Sequence, residues 1–359
     1  TIGLLSLRRL SMESDAIAKR VIDECCKIIE TEKDREVRSS AIEAAFSTWE
    51  KIDVSKAYRQ KEFLDFVISE NNSGELIQLS AALFYYLKGL VPGSIDLILE
   101  ALAGGVANSH ELLQLLDSAL HSKDGRWKFK KVVDVFAAHI PKLESPAEPR
   151  QFHNFSQWAL GDPRNAGQLF SRWLADGNYE LCKYLADMIV KDGKENTAIE
   201  ISIADLPIDV DDQIFMARKC VGFLWLHEVT AASILLSILK NGKKLARQEA
   251  ESMLYNPLLL SFSGALREFL EAQAGNSSKR ISDCVVRLIK NHDAYLAGLR
   301  SAEHLLEFLP TIEQRHASAM KDRERNNDIQ NRAHEKSIFS QFIARQTLLY
   351  GNKNFFVAH

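Results

Sequence analysis

The chain has 359 residues but only 17 glycines and 8 prolines, whereas these two residues make up about 12% of an average protein. This shortage of turn-forming residues excludes a collagen-like chain and argues against a β-protein made of many hairpins. The formal net charge of −3, from 45 basic and 48 acidic residues, means that any nucleic-acid role would need a local basic patch.

Apolar residues recur at steps of three and four from the start of the chain, which is the period of an amphipathic helix. The first such run lies between Ser14 and Ile29, and the second runs from Val37 to Trp49 after Asp34, a predicted N-cap. Further helices are predicted in pairs joined by short turns, so neighbours should be antiparallel. These pairs are 56–69 with 75–90, 94–103 with 109–121, 127–140 with 151–160, 164–176 with 179–191, 211–225 with 228–240, 244–254 with 258–273, and 277–298 with 301–309.

The apolar faces of these helices define a predicted core of large side chains between paired helices. Its members are Phe46, Trp49, Phe84, Phe136, Phe170, Trp173, Leu185, Phe223, Leu235, Leu259 and Phe269.

One segment carries a family pattern. Residues 34–46 read Asp-Arg-Glu-Val-Arg-Ser-Ser-Ala-Ile-Glu-Ala-Ala-Phe, in which Asp34 would cap the helix, Arg38 would lie outside and the alanines would let a paired helix approach closely. This segment resembles the second helix of a HEAT repeat, and looser echoes lie at 181–185 and 245–254. The resemblance implies an all-α fold of stacked antiparallel pairs, a HEAT- or armadillo-like α-solenoid over residues 13–300. An irregular multi-helix array without true repeats is the alternative.

Two stretches interrupt the helical pattern in the body of the chain. Residues 140–150 contain three prolines, which no helix can run through. We therefore predict either a boundary between an N-terminal helical array at 1–140 and a second array at 150–309, or a crossover loop. The run 198–203 alternates apolar and polar residues like a strand. Because an isolated strand has no ladder to join, we predict a loop or a helix end there.

The C-terminal part is predicted to consist of a connector and a docking segment. Residues 310–336 are almost entirely polar, so they form a solvated helix or a linker without a packing face, and proteolysis should cut there first. Residues 337–359 are rich in large apolar side chains, and the sequence around Gly351 indicates a small β-hairpin. A lone hairpin is marginal in water, so we expect the natural chain to continue past His359.

Cysteine usage and hydropathy predict a cytoplasmic protein without a membrane span. Five cysteines include no C-x-x-C pair, which excludes a zinc ribbon and favours reduced thiols. The longest apolar stretch, 221–239, contains His227 and Glu228 near its middle. A charge there would be costly in a bilayer, so this stretch predicts two buried helices instead.

The motifs of metal and nucleotide enzymes are missing from the sequence, and we assign no catalytic residue, cofactor or metal. His227 beside Glu228 is expected at a helix junction. Arg287 and His292 fit the arginine–histidine spacing of HEPN-type ribonucleases, but this spacing arises equally often by chance. The aspartates near Pro207 are interpreted as helix caps rather than a magnesium site; they are Asp205, Asp209, Asp211 and Asp212.

The candidate binding residues are Arg126, Lys128, Lys130 and Lys131, in a basic run interleaved with aromatic side chains. Such a run can contact phosphates or an acidic partner, and the alternative is an ordinary amphipathic helix with a lysine-rich exposed face. We expect a scaffold that binds a protein partner or self-associates. A nucleic-acid-binding helical repeat, or the sensor or regulatory region of a larger enzyme such as a bacterial defence protein, remain alternatives.

Overall fold

The computed structural model describes residues 14–51, 58–105, 109–121, 126–191, 197–262, 264–276 and 278–302, with short helical pieces at 316–317, 320–321 and 323–324. Of the described residues, 81% are helical and none is in a strand, which confirms the all-α prediction. The chain divides into two compact units, Thr1–Ile289 and Lys290–His359. The fold below is that of the first unit.

Fifteen α-helices make up the described chain. They are α1 (Asp15–Thr31), α2 (Arg35–Lys51), α3 (Gln60–Ser69), α4 (Ser73–Tyr85), α5 (Pro92–Gly104), α6 (Ser109–Leu120), α7 (Phe129–His139), α8 (His153–Gly161), α9 (Pro163–Asp176), α10 (Tyr179–Lys191), α11 (Val210–Phe223), α12 (Glu228–Asn241), α13 (Lys244–Met253), α14 (Ala265–Asn276) and α15 (Lys279–Ala302). The division between the units falls inside α15.

Short polar side chains fix where several helices begin. Asp34 Oδ1 accepts the backbone N–H groups of Glu36 and Val37 at 2.9 and 3.1 Å, as its predicted capping role requires. Ser14, Asn72, Asp162 and Asp209 cap α1, α4, α9 and α11 in the same way. These caps confirm that the aspartate next to α11 serves as a helix cap.

Helices α1 to α13 each pack against at least one chain neighbour and, in most cases, against the next helix but one. One layer follows from the contacts of α1 with α3, α3 with α5, and so on to α13. The other layer links α2, α4, α6 and α8, and α12 with α14. The result is a multi-helix array consistent with a helical repeat.

A single hydrophobic cluster runs through the first unit from Val21 to Leu288. Aromatic side chains interlock within it: the rings of Phe136 and Phe155 stack at 3.8 Å, and Trp49 packs edge-on against Phe63. Eight of the predicted core residues are buried, namely Phe46, Trp49, Phe136, Phe170, Trp173, Leu185, Leu235 and Leu259.

Three predicted core residues are not fully buried. Phe223 and Phe269 are half-buried, and Phe84 is 41% exposed. The buried stripe of α4 contains Leu79 and Leu83, so Phe84 lies one position beyond it, against the ring of Tyr85 at 4.6 Å. The prediction that Phe84 is a core residue is therefore wrong. A shift of one residue turns a side chain by about 100° around a helix, which carries Phe84 away from the buried face.

Arg38 also differs from its prediction. Its side chain is buried rather than outside, and its guanidinium makes two bonds to Glu75, with Nε–Oε1 at 2.5 Å and Nη2–Oε2 at 3.1 Å. The same guanidinium donates to the backbone oxygens of Ile29 and Glu32. Arg38 therefore ties the end of α1 to α2 and α4.

Some predicted boundaries shift. The predicted helix 258–273 is broken, because helical structure ends at residue 261 and α14 begins only at Ala265. α15 continues to Ala302 where two helices were predicted. The proposed domain limits at 140, 150, 309 and 336 stay predictions, and the C-terminal hairpin lies outside the described residues.

Candidate functional site

Residues 197–206, which we call the strap, connect α10 to α11 without helical structure. The side chains alternate in burial: Ile199 and Ile201 are buried, whereas Ala198, Glu200 and Ser202 are exposed. The alternation of apolar and polar residues in the sequence therefore corresponds to alternating burial, although the strap joins no strand. Its backbone hydrogen bonds are made to a helix instead.

A polar stripe on α12 binds the backbone of the strap. The backbone N–H of Ile199 donates to Ser233 Oγ at 2.8 Å, and that of Ile201 donates to Ser237 Oγ at 3.0 Å. At the start of the strap, Thr230 Oγ1 donates to the carbonyl of Thr197 at 2.7 Å. Because these hydroxyls recur at steps of three and four, they lie on one helix face and satisfy alternate backbone groups of the strap.

The opposite side of the strap lies against α9. The Glu200 carbonyl oxygen would be only 2.3 Å from a Cβ atom at position 167, so this close approach requires glycine there. Further along, Ser171 Oγ donates to the Asp205 carbonyl at 2.5 Å. The strap is thus held between α9 and α12.

A groove of about 940 Å³ runs beside the strap. A helix with its side chains is about 10 Å across, and an extended segment is narrower. Because the strap occupies less width than a helix would, a depression remains in the surface beside it. The exposed strap residues form part of its wall. The other walls come from α9, α12, α14 and the start of α15, with Arg164, Gln168, Lys240, Asn241, Phe269, Gln273 and Ile281 among the lining residues.

The groove presents polar groups of mixed character. Among the described residues, the side chains of Arg164, Gln168, Glu200, Lys240 and Gln273 have no hydrogen-bond or ion-pair partner. The amide groups can each donate and accept hydrogen bonds, as a polypeptide backbone requires. Arg164, Lys240 and Glu200 can form ion pairs with charged side chains of a bound molecule.

The basic run singled out in the sequence lies at the start of α7. Carboxylates of α5 already pair with two of its lysines. Lys128 pairs with Asp96 of α5, and Lys131 lies 2.7 Å from Glu100 and 3.5 Å from Asp96. Although burial acts against its charge, these carboxylates raise the pKa of Lys131 above its usual value.

The other two members of the run differ from each other. Arg126 Nη1 donates to the Leu90 carbonyl at 2.6 Å, whereas the side chain of Lys130 is exposed. Phe129 is half-buried and packs against Trp158 at 5.1 Å. Binding of a polyanion by Arg126, Lys128, Lys130 and Lys131 stays a prediction.

The remaining chemical candidates occupy structural positions. His227 is the N-cap residue of α12 and is buried at that junction, as expected. The carboxylate of Asp209 accepts hydrogen bonds from backbone N–H groups, and these bonds, chiefly the one from Asp211, lower its pKa. Arg287 pairs with Glu251. No group of three or more metal-binding side chains occurs among the described residues.

The sequence predicted a loop or helix end at 198–203, but not its hydrogen bonds to α12 or the groove beside it. The detectable signal was the stripe of Thr230, Ser233, Ser237 and Asn241 in an otherwise apolar helix, which marks a face that must bind polar groups. The residues of the groove wall come from four helices and could not be grouped without the fold.

No known protein-family model, curated protein or solved structure matches the chain. Among the described residues, no helix is both long and apolar enough to cross a bilayer.

Proposed function

We propose that this chain is an α-solenoid scaffold that binds an extended segment of a partner protein in the groove beside the strap. The observation that carries the proposal is the strap itself, an extended backbone already bound to a helix face of this array. Binding would take place in the cytoplasm, which the five buried free cysteines support.

The regular spacing of contacts between alternate helices supports the solenoid. Polar contacts repeatedly join a helix to the next but one, and their partners are separated by similar numbers of residues. The separations are 37 for Arg38–Glu75, 38 for Asp117–Phe155, 31 for Arg218–Glu249 and 36 for Glu251–Arg287. Such a spacing is typical of repeats of 30 to 45 residues, each of which contacts only its neighbours.

The chemistry of the groove favours an extended polypeptide over a compact ligand. Side-chain amides at Gln168 and Gln273 can bind main-chain groups of a bound segment. Arg164 and Lys240 can contact acidic side chains of the segment, Glu200 and Asp205 can contact basic ones, and Phe269 offers an aromatic surface. Solenoids present extended surfaces of this kind to their partners.

Selection of displayed random dodecapeptides on the full chain tests this proposal. Ala198→Trp fills the groove from an exposed position of the strap, and Ala16→Trp, on the exposed side of α1, is the matched control. We expect selected peptides to bind the wild type and Ala16→Trp equally. Ala198→Trp should weaken binding at least tenfold.

Circular dichroism of both variants must first show unchanged helicity. Failure to select any peptide, or selected peptides that bind Ala198→Trp as tightly as the wild type, would contradict the proposal.

A further inference from the structure

A second cavity, of about 370 Å³, lies between α13 and α15. Four cationic side chains line it: Lys244 and Arg247 from α13, and Arg280 and Arg287 from α15. The acidic side chains in the lining are Glu251 and Asp283. The cavity therefore carries two more positive than negative charges, in a chain whose overall net charge is −3.

Two of the four cations are held by the fold. Arg280 Nη2 donates to the carbonyls of Leu239 and Lys240 at 3.0 and 2.6 Å, where it satisfies the C-terminal end of α12. Arg287 pairs with Glu251, with Nε–Oε1 at 3.1 Å. These two arginines are positioned by their contacts, and they keep further N–H groups for a ligand.

The other two cations are not compensated. Among the described residues, Lys244 and Arg247 have no ion-pair or hydrogen-bond partner for their side chains, and neither has Gln248 beside them. The first turns of α13 and α15 contain no acidic residue, so the helix ends add to the positive potential of the cavity. By contrast, Lys131 of the basic run on α7 is neutralised by Glu100.

We propose that this cavity binds a phosphate group, with Lys244 and Arg247 as the side chains that contact it. An anion with several acceptor oxygens fits guanidinium and ammonium donors that converge on a small concave site. The phosphate can belong to a nucleic-acid backbone or to a small phosphorylated molecule. The proposal is independent of peptide binding in the groove beside the strap, because Lys244 and Arg247 do not line that groove.

The test measures binding of a fluorescein-labelled 12-nucleotide single-stranded DNA, and separately of inorganic pyrophosphate, to the full chain. Lys244→Glu/Arg247→Glu is compared with Lys128→Glu/Lys130→Glu, which makes the same change of charge in the basic run on α7. We expect the cavity variant to weaken binding at least tenfold and the control variant to weaken it less than threefold. The salt dependence of DNA binding should also become shallower by roughly 1.4 in log–log slope.

The two probes distinguish the sources of phosphate. Binding of DNA without pyrophosphate indicates a nucleic-acid backbone, and binding of pyrophosphate without DNA indicates a small phosphorylated ligand; either supports the proposal if the cavity variant abolishes it. The proposal is overturned if neither probe binds, or if the basic-run variant loses binding while the cavity variant keeps it. Lys244→Ala/Arg247→Ala repeats the test with a smaller perturbation.

Discussion

The buried pair of Arg38 and Glu75 shows how much one residue can matter in a layered array. Each side chain is only 8% exposed, and the guanidinium also binds the end of α1. A charge left alone in such a place has neither water nor a partner. The family pattern in the sequence identified Arg38, but an i-to-i+37 contact has no local signal, and this is why its burial was not predicted.

Arg38→Ala should lower the free energy of unfolding by about 3–5 kcal/mol, because it leaves Glu75 buried and unpaired. Replacing both residues with methionine should recover most of the loss. The measurement is urea denaturation followed by circular dichroism. Arg218→Ala is the matched control, since its pair with Glu249 is 62% and 28% exposed and should be worth less than about 1 kcal/mol.

His139 connects stability to pH. Its ring is buried, with Nε2 donating to the Leu102 carbonyl at 2.8 Å and Nδ1 accepting from Ser109 Oγ at 2.9 Å. Burial lowers the pKa of His139 below its usual value of 6.5. The unfolded chain therefore binds a proton more readily than the folded one, so the stabilising contribution is complete above pH 6.5 and is lost as pH falls toward the lowered pKa.

We expect the unfolding free energy to fall between pH 7.5 and 5, with a slope from this residue of at most about 1.4 kcal/mol per pH unit. His139→Gln keeps a donor for Leu102 but cannot titrate, so its profile should be flatter over the same range. Equal slopes for both proteins in urea denaturation series would contradict a role for His139.

At the level of elements, the strap shows that a helix can replace a strand as a hydrogen-bonding partner. Two hydroxyls of α12 accept the N–H groups of Ile199 and Ile201. The glycine of α9 allows the Glu200 carbonyl to approach from the other side. Removal of either support should release the strap without unfolding the helices around it.

Gly167→Ala tests the contact with α9. Alanine is the better helix former by about 1 kcal/mol, yet its Cβ would lie 2.3 Å from the Glu200 carbonyl, so we expect a net loss of stability. The same substitution at Gly222 meets no atom within 4 Å and should be neutral or stabilising. Thermal unfolding compares the two, and a stabilised Gly167→Ala protein would show that the strap moves aside freely.

The period of apolar residues was enough to place most helices, because a helix is encoded by neighbours three and four positions apart. The prediction of 179–191 coincides with α10, and that of 164–176 begins one residue after α9 does. The hydrogen bonds that hold the strap, and both cavities, escaped prediction for a common physical reason. Each depends on side chains from elements that are brought together only by packing, such as Lys244 and Arg287.

For the whole first unit, the layered contacts predict that damage stays local. Phe46→Ala removes a ring that is 1% exposed at the N-terminal end of the array, which should cost about 3–5 kcal/mol. The helices of this array pack mainly against chain neighbours and the next helix but one, so the lost packing should not extend to the far end. Hydrogen exchange should therefore accelerate in α1 to α4, while α11 to α13 keep their protection. Uniform acceleration would show that the array unfolds as one cooperative body.

The contacts between alternate helices also bear on how the chain folds. Because the paired residues are only 31 to 38 positions apart, little chain entropy is lost when each contact closes. Low contact order is associated with fast folding. During synthesis, the first helices can pack before the later ones leave the ribosome. Contacts between alternate helices occur along most of the array, from α1 with α3 to α12 with α14, so we expect folding to have several possible nuclei rather than one.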